Sequence, residues 1–159
     1  MQAYTCCVLG HRKIEEGEAL EQPVYKWAEK LVLEEGVHTF LFGSKSQFNH
    51  LCYTQVTKLK EKYPEIRRIY VRAEFPEISD DYQRYLLERY EGTFYPRAAV
   101  GAGKAVYIKR NFAMIDKSRF CIVYYKRDHA LLKRTSGTKL ALEYALRQKR
   151  EIILLPNEG

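Results

Sequence analysis

Several things are scarce in this chain of 159 residues, and each shortage removes a class of function. No window approaches the roughly 18 uninterrupted apolar residues of a membrane span, and the N-terminus lacks the basic-then-apolar pattern of a signal peptide. The expected location is therefore the cytoplasm. Cysteine and histidine number four each, with no CxxC pair and no metal-ligand spacing among them. The expectation is reduced thiols that pack as small hydrophobes, and no metal site. The nine glycines are scattered, so that no full GxGxxG follows a strand and no Walker sequence occurs. That argues against an ordinary dinucleotide site and against an ATPase. Internal repeats and low-complexity segments are absent as well.

What is present is enough apolar residue, 46% of the chain, to bury a core in one domain spanning 1–159. The charge is uneven. Its net value is +7, yet from Lys104 to Arg150 thirteen Lys or Arg face three acids, a balance of +10 that leaves −3 for the remainder. Such an excess attracts the phosphates of a nucleotide, of nucleic acid or of a partner without choosing among them.

Apolar patterning alternates strand with helix. Ala3 to Leu9 is a short continuous run ended by Gly10, which suits a strand buried on both faces. Within Glu18 to Glu35, Val24, Trp27, Leu31 and Val32 recur at helical spacing, with Pro23 in the first turn and Gly36 as the stop. His38 to Gly43 reads as a second strand, about Gln47 to Lys62 as a helix that Pro64 ends, and Ile66 to Ala73 as a third strand. Between Glu74 and Arg97 the pattern loosens to a helix at Asp80 to Tyr90 and a short extended segment at Thr93 to Tyr95. Gly101 and Gly103 open a helix reaching about Lys117, and Phe120 to Tyr125 is a buried strand. A flexible loop from Lys126 to Thr135 leads to a helix at Lys139 to Lys149 and a last strand at Glu151 to Leu155. This order predicts an α/β fold, a Rossmann-like three-layer sandwich with a mostly parallel central sheet.

In such a sheet the ligand crevice lies beyond the carboxyl ends of the strands, so residues directly after each strand are the candidates. Strand one ends in Gly10-His11-Arg12 and strand two in Gly43-Ser44. The basic loop leads into Ser136-Gly137-Thr138 at the start of the last helix, where unpaired amides and the positive end of the dipole make an anion site. Glycine admits a close ligand, and Arg12 offers a bidentate grip on phosphate; each also reads as an ordinary turn or a surface charge. On the helix from Lys104 to Lys117, steps of about 100° per residue put Ala105, Ile108, Phe112 and Ile115 on the sheet-facing stripe. Asn111 then flanks that stripe on one side, Lys109 and Asp116 on the other, and Arg110 points nearly opposite. The expectation is that Asn111 reaches a ligand, that Lys109 either joins it there or pairs with Asp116, and that Arg110 is a surface charge unless the helix lines a cleft with its outer side.

Three separated motifs carry a resemblance. They are Cys6-Cys7-Val8-Leu9-Gly10-His11-Arg12-Lys13-Ile14, then Lys109-Arg110-Asn111 with Met114-Ile115-Asp116-Lys117-Ser118, then Ser136-Gly137-Thr138 with Glu143-Tyr144-Ala145. In that order, and over nearly the whole chain, they resemble the SLOG superfamily, Rossmann-like proteins related to the Smf/DprA and LOG groups. The likeness is greatest to its YpsA-like branch of small bacterial proteins. The resemblance implies a site for a nucleotide or nucleotide-derived ligand at the strand ends. Carried over by position, Gly10, His11 and Arg12 match the loop after the first strand, Asn111 and Asp116 the middle helix motif, and Gly137 and Thr138 the phosphate-cradling turn. There are departures. Gly43-Ser44 stands where many relatives have Gly-Gly, and the last turn has one glycine fewer and no proline beside the PGGxGT turn of the cytokinin-activating enzymes. Those enzymes carry two acids close behind it, whereas the nearest here is Glu143, which weighs against glycoside cleavage.

The leading expectation is a binding protein or sensor for a nucleotide-like small molecule, with no other cofactor implied. Its phosphate would sit on the amides of Gly137 and Thr138, helped by Arg12 and the loop from Lys126 to Arg134. Two rivals stay open. One is an N-glycoside hydrolase or phosphoribohydrolase acting on nucleoside monophosphates, for which Glu143 or Asp116 would supply the carboxylate. The other is single-stranded nucleic-acid binding, for which the basic charge and the thirteen Tyr would serve. No membrane partner is expected, and a homo-oligomer is left open.

Overall fold

A computed structural model describes residues 2–126 and 137–156. Most of the expected basic loop, and Ser136 with it, therefore lies outside the described residues. Strands β1 (Thr5–Gly10), β2 (Thr39–Phe42), β3 (Arg67–Val71), β4 (Gly92–Phe94), β5 (Phe120–Tyr124) and β6 (Glu151–Leu155) form one sheet in the order β4-β3-β2-β1-β5-β6. Every neighbouring pair is parallel. The helices are α1 (Glu21–Glu35), α2 (Gln47–Lys62), α3 (Asp80–Arg89), α4 (Val106–Asp116) and α5 (Gly137–Arg147). The fold is α/β, a Rossmann-like three-layer sandwich. Among the described residues no helix is long and apolar enough to cross a membrane.

Side-chain alternation along the strands divides the core in two. Cys6, Val8, Phe40, Phe42, Ile122 and Tyr124 face α1 and α2, and Cys7, Leu9, Leu41, Val71, Cys121 and Val123 face α4 and α5. Central strands β1 and β5 are buried on both faces, which is why they read as unbroken apolar runs. Each fully buried Phe, Leu or Ile here contributes about 1.5–3 kcal/mol of transfer free energy.

Element ends follow local chemistry. Gly36, at φ 71°, closes α1 in the left-handed region, and the Val37 N–H bonds back to the Leu31 carbonyl at 3.1 Å. Ser46 and Ser79 cap α2 and α3 by accepting from the amides of Asn49 and Tyr82. The expected extended segment at Thr93 to Tyr95 is realised as β4, one residue earlier, and it pairs with β3 at the sheet edge. Helix α4 is rotated from its expected phase. Arg110, Met114 and Ile115 are its buried residues, while Phe112 turns to α5 and stacks on Tyr144 at 4.0 Å between ring centres.

Candidate functional site

The carboxyl ends of β1, β2 and β3 and the first turns of α2, α4 and α5 enclose a cleft of about 680 Å³. It lies where the strand order reverses about β1, the crevice position of an open α/β sheet. A glycine ends β1 and another directly follows β2 because helices press on both places. A Cβ on Gly10 would stand 2.8 Å from Cβ and Cγ of Phe48 in α2, and one on Gly43 would stand 2.7 Å from Arg110 Cδ and Met114 Sδ in α4. Gly137 differs, since a Cβ there meets nothing within 4 Å among the described residues. An adjoining recess of about 40 Å³ brings Gly10, Gly43, Ser44, Arg110, Asn111 and Thr138 together.

The cleft is cationic. Among the described residues, Arg12, Lys45, Arg72 and Arg110 line it against one carboxylate, Glu74. Arg110 is 5% exposed, and among the described residues it forms no ion pair. Its Nε–H donates to Asn111 Oδ1 at 3.0 Å, and its guanidinium carbon lies 5.7 Å from the centre of the Tyr107 ring. Burial pushes its pKa down, with Tyr70, Tyr107 and Glu74 acting the other way. A guanidinium keeps its charge at neutral pH all the same, so a cation is held in a place that penalises it. Arg72 is similarly placed. Its Nη1 donates to the carbonyls of Phe75 and Pro76, each at 3.3 Å, and its Nε is buried with no hydrogen-bond partner among the described residues.

The first turns of α2 and α5 are unlike. At α2, Ser44 Oγ donates to Ser46 Oγ at 3.0 Å, the Asn49 amide donates to Ser46 Oγ at 3.0 Å, and the Gln47 amide donates to the Arg12 carbonyl at 2.7 Å. Those amides are met by the protein itself. At α5 the amides of Gly137 and Thr138 have no acceptor among the described residues.

Behind the cleft, the exits of β1 and β5 are tied together. The Lys126 amide donates to Nε2 of the buried His11 at 3.1 Å, and the His11 ring lies 5.8 Å and 5.3 Å from the rings of Tyr124 and Tyr125. Lys126 Nζ pairs with Glu16 at 2.7 Å and Glu15 at 2.8 Å, and Tyr124 Oη donates to Glu16 at 2.6 Å. Bonds to the two carboxylates hold the Lys126 pKa up. For Glu16, burial raises the pKa but the bonds from Lys126 and Tyr124 outweigh it, and burial with the Glu16 contact pushes Tyr124 up to about 12. Lys126, expected to help hold an anion, is occupied by two carboxylates instead.

Of the residues singled out from the sequence, Gly10, His11, Arg12, Gly43, Ser44, Asn111, Gly137 and Thr138 all line this one cleft. Lys109 is exposed and does not border it, and no ion pair joins Lys109 to Asp116. Asp116 ends α4 at the opposite edge of the sheet, where its carboxylate accepts from Tyr144 Oη at 2.7 Å. Glu143 is exposed along α5. At 1.5 Å of rise per residue each lies about 9 Å along its helix from Arg110 or Gly137, and neither borders the cleft. Arg110 is a correction, because the expected surface charge is a buried wall of the cleft. Tyr70, Arg72 and Glu74 also line it and were passed over, although the rule that picks residues following a strand points to Arg72 and Glu74 after β3.

No family model matches this chain, and no curated protein matches it. Chemically, the cleft offers charge-assisted donors and helix amides on one side and the rings of Tyr70, Tyr82 and Tyr107 on the other. That combination suits an anion joined to a planar group.

Proposed function

We propose that the chain binds a nucleotide or nucleotide-derived ligand in this cleft, with a phosphate in the recess between Arg110 and the first turn of α5. The observation that carries this reading is Arg110, a guanidinium buried to 5% exposure at the cleft that forms no ion pair among the described residues. A phosphate supplies the missing counter-charge and accepts from the guanidinium fork and the α5 amides together. Thr138, 8% exposed, brings a hydroxyl to the same recess. The likeness of the three sequence motifs to the SLOG superfamily supports the same ligand class.

Titration calorimetry with AMP, GMP, ADP-ribose, NAD and cyclic nucleotides tests it. At least one is expected to bind, and Gly137→Val is expected to weaken that binding about tenfold or more, a loss near 1.4 kcal/mol. The Cβ that Val adds meets nothing within 4 Å among the described residues, so the thermal midpoint should hold while the amides become crowded for a ligand. Absence of heat with every member at millimolar concentration sinks the reading.

A further inference from the structure

The side of the cleft away from the recess is built by the exit of β3. Along it Ile69, Val71 and Ala73 are buried, whereas Tyr70, Arg72 and Glu74 are more open and all line the cleft, the alternation of an extended chain. Tyr82 from α3 and Tyr107 from α4 join them. Among the described residues, the hydroxyls of these three tyrosines make no hydrogen bond. Their rings are surfaces on which a planar heterocycle can stack.

The two charged groups beside those rings discriminate among heterocycles. Arg72 only donates, and its buried Nε lacks an acceptor among the described residues. Glu74 only accepts, and among the described residues it is the one carboxylate of the lining. A donor-only and an acceptor-only group, two residues apart on one side of the chain, fit a base that separates its acceptors from its donors. Guanine does so, since O6 and N7 accept on one edge while N1–H and the 2-amino group donate on the next. Adenine and cytosine carry a single donor group and uracil a single donor between two acceptors, so among these bases guanine alone sets two adjacent acceptors for a guanidinium beside two adjacent donors for both oxygens of a carboxylate. We propose that the ligand is a guanine nucleotide, its base stacked in the tyrosine cluster with Arg72 toward O6 and N7 and Glu74 toward N1 and the 2-amino group. This rests on the nucleotide reading above and gives the ligand a direction, base at β3 and phosphate at α5.

Calorimetry of the whole chain against GMP, IMP, AMP and ribose 5-phosphate tests it, with Glu74→Gln as the variant. Glu74 is exposed, so the fold tolerates the change. The expected result is GMP bound about tenfold or more tighter than AMP, with IMP between them because it lacks the 2-amino donor. Glu74→Gln should bring GMP toward parity with AMP and leave ribose 5-phosphate unaffected. Equal affinities for GMP and AMP, or a GMP preference undiminished in the variant, overturn the guanine assignment while the nucleotide reading stands. Failure of all four compounds while another member of the wider nucleotide panel binds overturns the guanine assignment alone; failure of that whole panel as well overturns both.

Discussion

At Arg110 the protein keeps a cation at 5% exposure that no carboxylate among the described residues pairs, and burying such a group costs free energy. Methionine at this position keeps an unbranched stem against Gly43 and removes the charge. Arg110→Met is therefore expected to leave the thermal midpoint unchanged or raise it, while nucleotide affinity falls tenfold or more; a midpoint lowered by several degrees would assign Arg110 to the fold instead. The sequence misleads at this residue for a physical reason. Helix α4 has apolar side chains on more than one face, because Phe112 serves α5 while Met114 and Ile115 serve the sheet. Periodicity finds apolar stripes but does not say which neighbour each one meets. Gly10 and Gly43 were legible because a glycine directly after a strand has few causes, and here the cause is the close approach of Phe48 and of Arg110 with Met114.

Among the elements, β4 is the least secure, a three-residue strand at the sheet edge. Its hold on β3 includes the pair formed by Arg68 and Glu91. The Arg68 amide and Nε donate to Glu91 Oε1 at 2.8 Å and 3.0 Å, and Nη2 donates to Oε2 at 2.8 Å. Burial raises the Glu91 pKa, but the bonds from Arg68 outweigh it and the carboxyl ends below its ordinary value. A carboxylate depressed on folding stabilises fully above its unfolded pKa, about 4.3, and loses that contribution as pH falls through the folded value. Glu91→Gln should thus cost on the order of 1 kcal/mol at pH 7, between an exposed pair and a buried one. Melting curves of both proteins from pH 7 to pH 2 check this, with the gap expected to close below about pH 4; a gap that persists in acid would mean that charge is not what holds β4. The edge strand was legible only as a loose extended segment, because three residues carry too little alternation to announce a strand. Its pairing partner and the Arg68–Glu91 clasp are contacts between segments distant in sequence.

For the molecule as a whole, the packing of helices on the sheet places all four thiols inside. Cys6, Cys7, Cys52 and Cys121 are each 0% exposed and free, and the Cys7 thiol donates to Cys121 Sγ at 3.5 Å across β1 and β5. Burial pushes the Cys6 and Cys52 thiols well up, which suppresses the reactive thiolate. A chromogenic thiol reagent at pH 8 is expected to report no reactive cysteine in the native protein and four in denaturant; rapid native labelling would show a core that opens. That same burial explains what could be read in advance. Strand order along the chain, the parallel sheet and the cluster of Gly10, Arg12, Gly43, Asn111, Gly137 and Thr138 at one edge follow from local patterning, since a right-handed strand-helix-strand unit sends every strand end to the same side. The sequence by itself determined that much. Only the tertiary structure decided the phase of α4, the commitment of Lys126 to Glu15 and Glu16, the removal of Asp116 and Glu143 from the cleft, and the meeting of Tyr70, Arg72 and Glu74 with Tyr82 and Tyr107. Those depend on which faces pack together across the sheet, and packing is a property of pairs of segments that no single segment encodes.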